Sequence, residues 1–212
     1  MPGRAFDVKI SKAMGPIFER VRNIVLRPKE TWEAIRQESQ SVQELLINFA
    51  APLALIPSVG SLIGLSIFGI MTPSGQIARA PFSEALAGSV LSYFAQLAGL
   101  LATAWCVQYL APYFNSRSDF TAAFKVITYS TCPIFVLGIF SALPGLGVVQ
   151  VLGLYSFYLL YQGIRNLLEV PGERLLWFTV LVVTISIFIN LVLSLLVGGA
   201  VYGPMFIRMM AK

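Results

Sequence analysis

The sequence predicts an all-α polytopic membrane protein: five transmembrane helices preceded by a short amphipathic helical N-terminal segment. Three observations carry this expectation. Of 212 residues, 57% are hydrophobic and only 12% are charged, whereas a soluble domain carries about 25% charge. Mean hydropathy is +0.76. Asp, Glu, Lys and Arg are absent from four long stretches, Leu45–Ala78, Ala85–Ser116, Val126–Ile164 and Leu175–Ile207. Lipid cannot satisfy the backbone of an open sheet, and the alternation of barrel strands does not occur.

From the N-terminus, residues 1–15 are small, polar and basic with no sustained period, and are expected to be loose. From Pro16 a pattern begins, with Ile17, Phe18, Val21, Ile24 and Val25 on one helical face. Pro16 suits the first helical position, and Pro28 ends the helix near Leu26. Arg20 and Arg22 occupy the polar side, so this helix fits either the headgroup layer or the ends of the spans. A second helix starts at Pro28, with Trp32 and Ile35 on its apolar face. Trp32 has the size and polarity of an interface anchor. Phe18, Arg20, Arg22 and Trp32 are therefore the candidate contacts with the membrane interface or a partner. Ser41-Val42-Gln43-Glu44 has the form of a capping box, which places the start of the first span.

The spans are expected at Leu46–Ile70, Leu86–Tyr109, Ala122–Ala142, Leu146–Ile164 and Leu176–Gly199. The charge-free run Val126–Ile164 is too long for one helix across a hydrocarbon core about 30 Å thick. Leu143-Pro144-Gly145-Leu146-Gly147 divides it into a tight hairpin. Pro52, Pro57 and Pro133 should kink or break their helices. The organisation is then a cytoplasmic segment over 1–44, a membrane domain over 45–205 and a tail over 206–212. With the N-terminus cytoplasmic, twelve of the fifteen Lys and Arg fall on that side, leaving Arg79, Arg208 and Lys212 opposite with the C-terminus. Residues 1–40 contain no continuous apolar core of a signal peptide, so the first span is expected to direct insertion.

Histidine is absent, which removes His-based triads, imidazole proton shuttles and His-ligated metals. Cys106 and Cys132 lie in apolar runs and read as buried small hydrophobes. No Walker loop, GxSxG elbow, HExxH or dinucleotide fingerprint occurs. No enzyme activity, cofactor or metal is expected, and the basic residues flank apolar runs rather than forming a nucleic-acid surface.

Uncharged polar residues do form stripes. Tyr155, Tyr158, Gln162 and Arg165 follow one face of the fourth span, and Ser186, Asn190 and Ser194 recur every four residues in the fifth. The third span carries Thr128 to Cys132 before Pro133, and the second carries Gln96 and Gln108. Such groups serve interhelical hydrogen bonding, worth about 0.6 kcal/mol each. The functional alternative is a polar groove between the third, fourth and fifth spans, built on Tyr129, Tyr158, Gln162 and Asn190. Gly60 with Gly64, and Ala95, Gly99 and Thr103, mark close helix contacts, intrachain or in a homo-oligomer.

The order of elements resembles the bacterial branch of the Yip family, the Ypt-interacting proteins. The resemblance rests on Leu26-Arg27-Pro28 with Trp32 and Ile35, Tyr129-Ser130 with Pro133, Leu143-Pro144-Gly145, Tyr161-Gln162-Gly163, and Pro171. It implies five spans with a cytoplasmic N-terminus. Eukaryotic members resemble adaptors for small GTPases in vesicle traffic, but their Asp-Leu-Tyr-Gly-Pro motif is absent from residues 1–45. The expected function is a non-enzymatic protein of the bacterial inner membrane that organises or shapes the bilayer or docks a protein at its N-terminus, in contact with membrane lipids. The alternative is an uncoupled transporter, channel or lipid-moving protein using the polar groove.

Overall fold

A computed structural model describes residues 3–71, 77–143 and 146–210. It is helical throughout except for a two-residue antiparallel ladder. Helix α1 spans Gly3–Leu26 and α2 spans Pro28–Gln37. The composite helix α3 covers Val42–Phe68, and the ladder strands β1 (Ile70–Met71) and β2 (Ile77–Ala78) follow it. Then come α4 (Phe82–Leu110, tightening into a 3-10 turn over Ala111–Phe114) and α5 (Phe120–Leu137, with a 3-10 tail over Gly138–Ala142). A 3-10 segment over Leu146–Leu154 leads into α6 (Tyr155–Leu167), and α7 spans Gly172–Met210.

The local signals explain most boundaries. Pro28 separates α1 from α2, since it fits a first helical turn but cannot continue a preceding one. Ser41 accepts from the Glu44 amide at 3.2 Å while the Ser41 amide donates to the Glu44 carboxylate at 3.0 Å. This completes the capping box and starts α3 where it was expected. Asp119 caps α5 by accepting from the Thr121 amide at 2.9 Å. Before Pro52, α3 widens over Leu46–Ala50, with the Ala51 amide reaching back to the Leu46 carbonyl. A π-type bulge there relieves the ring's clash with the preceding turn. Gly69, at φ 78°, ends α3 in a conformation that suits glycine.

Two expectations change. The helix expected from Pro16 instead begins at Gly3 and passes through Pro16. Good helix formers at Arg4, Ala5, Lys9, Lys12 and Ala13 favour this, although they carry no amphipathic period. The continuous fourth span expected at Leu146–Ile164 is replaced by a 3-10 segment and a helix of 13 residues. Gly147 and Gly153, with the β-branched Val148, Val149 and Val151, disfavour an α-helix there. Pro144 and Gly145 of the expected hairpin turn lie outside the described residues. Among the described residues, four helices are long and apolar enough to cross a membrane: Val42–Phe68, Phe82–Phe114, Phe120–Phe140 and Gly172–Val201.

The ends of the helices collect on one side. The Arg117 amide donates to the Leu168 carbonyl at 3.2 Å, and Arg174 Nη1 donates to the Tyr113 carbonyl at 3.3 Å. The α4–α5 and α6–α7 connections therefore meet, beside the start of α3. The chain leaves this end along α5 and returns to it along Leu146–Leu167. Helix α5 is the centre of the bundle, with 67% of its most apolar stretch buried against 6% for α7. Glycine sets two of the closest contacts. A Cβ on Gly138 would overlap the Pro57 ring, and one on Gly99 would stand 3.2 Å from Leu193 Cδ1. The Gly99 stripe thus serves packing of α4 on α7 within one chain.

Candidate functional site

Two regions gather the polar residues singled out by the sequence. The first is the layer that α1 and α2 form over the collected helix ends. Arginine and tryptophan residues on these short helices would be expected at a lipid interface, yet the apolar face of α2 turns inward. Trp32 is fully buried between α5 and α6. Its ring lies so close to the Gly163 backbone that a Cβ there would sit 2.8 Å from the indole carbons. In this position Trp32 offers no surface to lipid or to a partner.

Tyr129 binds this layer to the bundle. Its ring meets Trp32 edge-on at 6.2 Å and Phe49 at 4.8 Å, and its hydroxyl donates to Gln40 Oε1 at 3.0 Å. The Arg20 guanidinium lies 5.8 Å from the same ring centroid and pairs with Glu38 at 2.7 Å. Lys125, nearly buried, donates to the Glu38 backbone carbonyl at 2.6 Å, and Tyr155 donates to the Val25 carbonyl at 2.9 Å. Arg36 reaches Glu169 at 2.5 Å. Arg20, Trp32 and Tyr129, expected in two different sites, therefore form one latch.

The outer edge of α1 differs. Ile17, Val21 and Val25 pack against the core and Ile24 is part of it. Phe18 and Leu26 are 69% and 71% exposed, and Arg22, Arg27 and Lys29 are exposed beside them. Both faces expected of an amphipathic helix are occupied, one by protein and one by solvent or headgroups.

The second region is a cleft of about 590 Å³ between α3, α4, α5, α6 and α7. Asn190 lines it together with Gln96, Ser130, Thr131, Ser156 and Ser186. Asn190 Nδ2 donates to the Ser186 carbonyl at 2.8 Å, and Gln96 Nε2 donates to Ser58 Oγ at 3.2 Å. The cleft continues along α4 and α7 into a further 480 Å³ that shares Ser61, Ser92, Gln96 and Asn190.

The four residues expected to make one groove are thus not brought together. Tyr129 belongs to the latch. Tyr158 and Gln162 bond to each other on α6 at 3.2 Å, outside the cleft lining. Only Asn190 reaches the cleft. Sequence reasoning passed over Gln40, Glu38, Ser61, Ser92 and Ser156. Ser92 and Gln96 stand one helical turn apart, which was a usable signal; Gln40 and Glu38 act from a connection with no periodic pattern.

A family model described as the Yip1 domain matches residues 22–206 of the chain. "Inner membrane protein YohC" of Escherichia coli K12 is 24% identical over 166 residues, covering 76% of this chain and 85% of that protein. Its counterpart from a second Escherichia coli strain matches to the same extent. No solved structure matches the chain.

Proposed function

The chain belongs to the Yip1 domain family, and from that premise we propose that it is a non-enzymatic protein of the bacterial inner membrane that organises lipid at the cytoplasmic surface. Its N-terminal layer, residues 1–44, is cytoplasmic, and the membrane domain over 45–205 crosses five times before the tail at 206–212. Similarity to the Escherichia coli inner membrane protein YohC supports the inner membrane. The return of Leu146–Leu167 alongside α5 supports the fifth crossing. Nine residues of 3-10 helix and 13 of α-helix rise about 37 Å together, enough for a hydrocarbon core of about 30 Å.

The observation that carries the reading is the outer edge of α1. Phe18 and Leu26 stay exposed beside Arg22, Arg27 and Lys29, while the opposite face is held to the bundle. An apolar ridge flanked by cations at the ends of the spans suits an anionic leaflet, where each basic residue contributes about 1 kcal/mol. The latch holds that ridge at a fixed height instead of leaving it on a flexible arm.

The test uses the full chain in nanodiscs of phosphatidylethanolamine with and without phosphatidylglycerol. Amide exchange over residues 15–27 should slow when the anionic lipid is present. Changing Phe18→Ser, Arg22→Ser and Lys29→Ser together should abolish the difference without altering the spans. Equal exchange in both lipids for the unaltered chain would refute the reading.

A further inference from the structure

The cleft takes no part in the reading above. Four of its hydroxyls fall into two pairs. Thr131 and Ser186 donate to carbonyls of their own helices, at 2.7 Å each. Ser130 and Ser156 are only 3% and 4% exposed and their Oγ atoms have no hydrogen-bond partner among the described residues. Burying a hydroxyl unbonded is unfavourable, and such groups in native proteins call for an explanation. Here they come from two facing helices into one cleft, each able both to donate and to accept.

The mouth of the cleft identifies the medium it opens to. Ile134, Leu154, Phe157 and Ile187 line the cleft and are also 46%, 58%, 40% and 57% exposed. In a spanning bundle, exposed apolar side chains of this size face lipid chains. Ser130 and Ser156 directly follow Tyr129 and Tyr155, whose hydroxyls bond to the N-terminal layer, so both lie just beneath the latch, at the lipid-facing cleft. Among the described residues, no charged side chain lines the cleft. A phosphate brought into this cleft would meet no cation to offset its desolvation. The volume falls within the range of about 300–1,000 Å³ usual for small-ligand sites, and its extension toward Leu193 and Gly198 gives it the length for an extended chain.

We propose that the cleft binds one neutral glycerolipid of the diacylglycerol type, admitted sideways from the bilayer. Its free hydroxyl and an ester carbonyl engage Ser130 and Ser156, and one acyl chain lies along the apolar lining of Ile134, Leu154, Phe157 and Ile187. The polar end of such a lipid is uncharged and can enter the membrane interior, which a phospholipid headgroup does only at far greater cost.

The full chain in phosphatidylethanolamine nanodiscs, doped with a diacylglycerol bearing a diazirine on one chain, provides the test. Photolabelling should concentrate on peptides containing Ile134, Leu154 and Phe157, several-fold above the lipid-facing Leu86 and Phe94. Unlabelled diacylglycerol should compete it away, and a phosphatidylglycerol carrying the same chain should label only at the level of the control peptides. The pair Ser130→Ala and Ser156→Ala removes two unbonded hydroxyls, so the fold should hold or gain thermal stability while competable labelling drops about five- to tenfold. Uniform labelling that excess diacylglycerol does not compete would overturn the proposal. So would equal labelling by phosphatidylglycerol, or competable labelling unchanged in the double variant.

Discussion

Gly163 and Trp32 show how one missing methyl group fixes the position of a whole segment. The indole stacks over the Gly163 backbone, so Gly163→Ala would place its Cβ 2.8 Å from the ring and 3.2 Å from Val126 Cγ1. Tyr129 holds the ring edge-on from another side, leaving it little room to retreat. Overpacking of this kind costs about 1–3 kcal/mol, and the thermal midpoint of the purified chain should fall accordingly. Combining it with Trp32→Phe should recover part of the loss, because the smaller ring vacates the contact. With Trp105 and Trp177, both on the bundle surface, replaced by phenylalanine, the emission of Trp32 should shift red when the layer lifts. None of this was legible in the sequence. Trp32 on a short amphipathic helix near basic residues has every property of an interface anchor, and its actual partner is a glycine 131 positions later. Composition reports the solvent a residue prefers and carries no information on which distant backbone leaves a space for it. Asn190 is a parallel case: its demand for polar neighbours was evident, but the identity of Gln96 and the serines around it was not.

At the scale of elements, the legible features are those whose cause lies within four residues. Ser41 and Glu44 satisfy each other's backbone amides, and that exchange alone starts α3. Ser41→Ala should therefore fray the first turn of α3 and cost about 0.5–2 kcal/mol, with Ser41→Asp retaining most of the stability; thermal unfolding of the three proteins in one detergent measures it. Pro28 was equally legible, because a missing amide acts on its own turn. The segment Leu146–Leu154 was not. It opens the run Leu146–Ile164, whose hydropathy and length suit a span, but glycine and β-branched residues tighten these nine residues into 3-10 geometry against α5. A Cβ on Gly153 would stand 3.3 Å from Ile134 Cγ1, so close packing with a neighbouring helix prevails over the apolar pattern. The ion pairs that join the layer to the bundle carry less weight than the ring contacts. Arg36 and Glu169 are both more than half exposed, and solvent screening leaves such pairs about 0–1 kcal/mol. Arg36→Ala should leave the layer docked, and raising the salt concentration should not release it.

For the whole molecule, the decisive property is the parity of crossings, since it sets which side each connection faces. Charge counting and backbone geometry bear on it independently. Arg117 and Lys125 flank the α4–α5 connection, and Arg165 and Arg174 flank the α6–α7 connection. The Arg117 amide and Leu168 carbonyl bring these two connections together, and Arg36 pairs with Glu169 from the N-terminal layer. Both lines of reasoning put the three regions on one face, and the topology proposed above takes that face as cytoplasmic. The same proposal puts Arg79, exposed after β2, and the C-terminus opposite. Single cysteines at Ser118, Glu169 and Arg79, in a chain with Cys106 and Cys132 replaced by serine or alanine, separate the alternatives. A membrane-impermeant maleimide should label positions 118 and 169 in inside-out vesicles and position 79 in intact spheroplasts. If Leu146–Leu167 did not cross, position 169 would share its sidedness with position 79 instead of with 118. Labelling of 79 and 169 from one side would overturn the fifth crossing, and with it the placement of the latch and of α1's basic edge against a single leaflet.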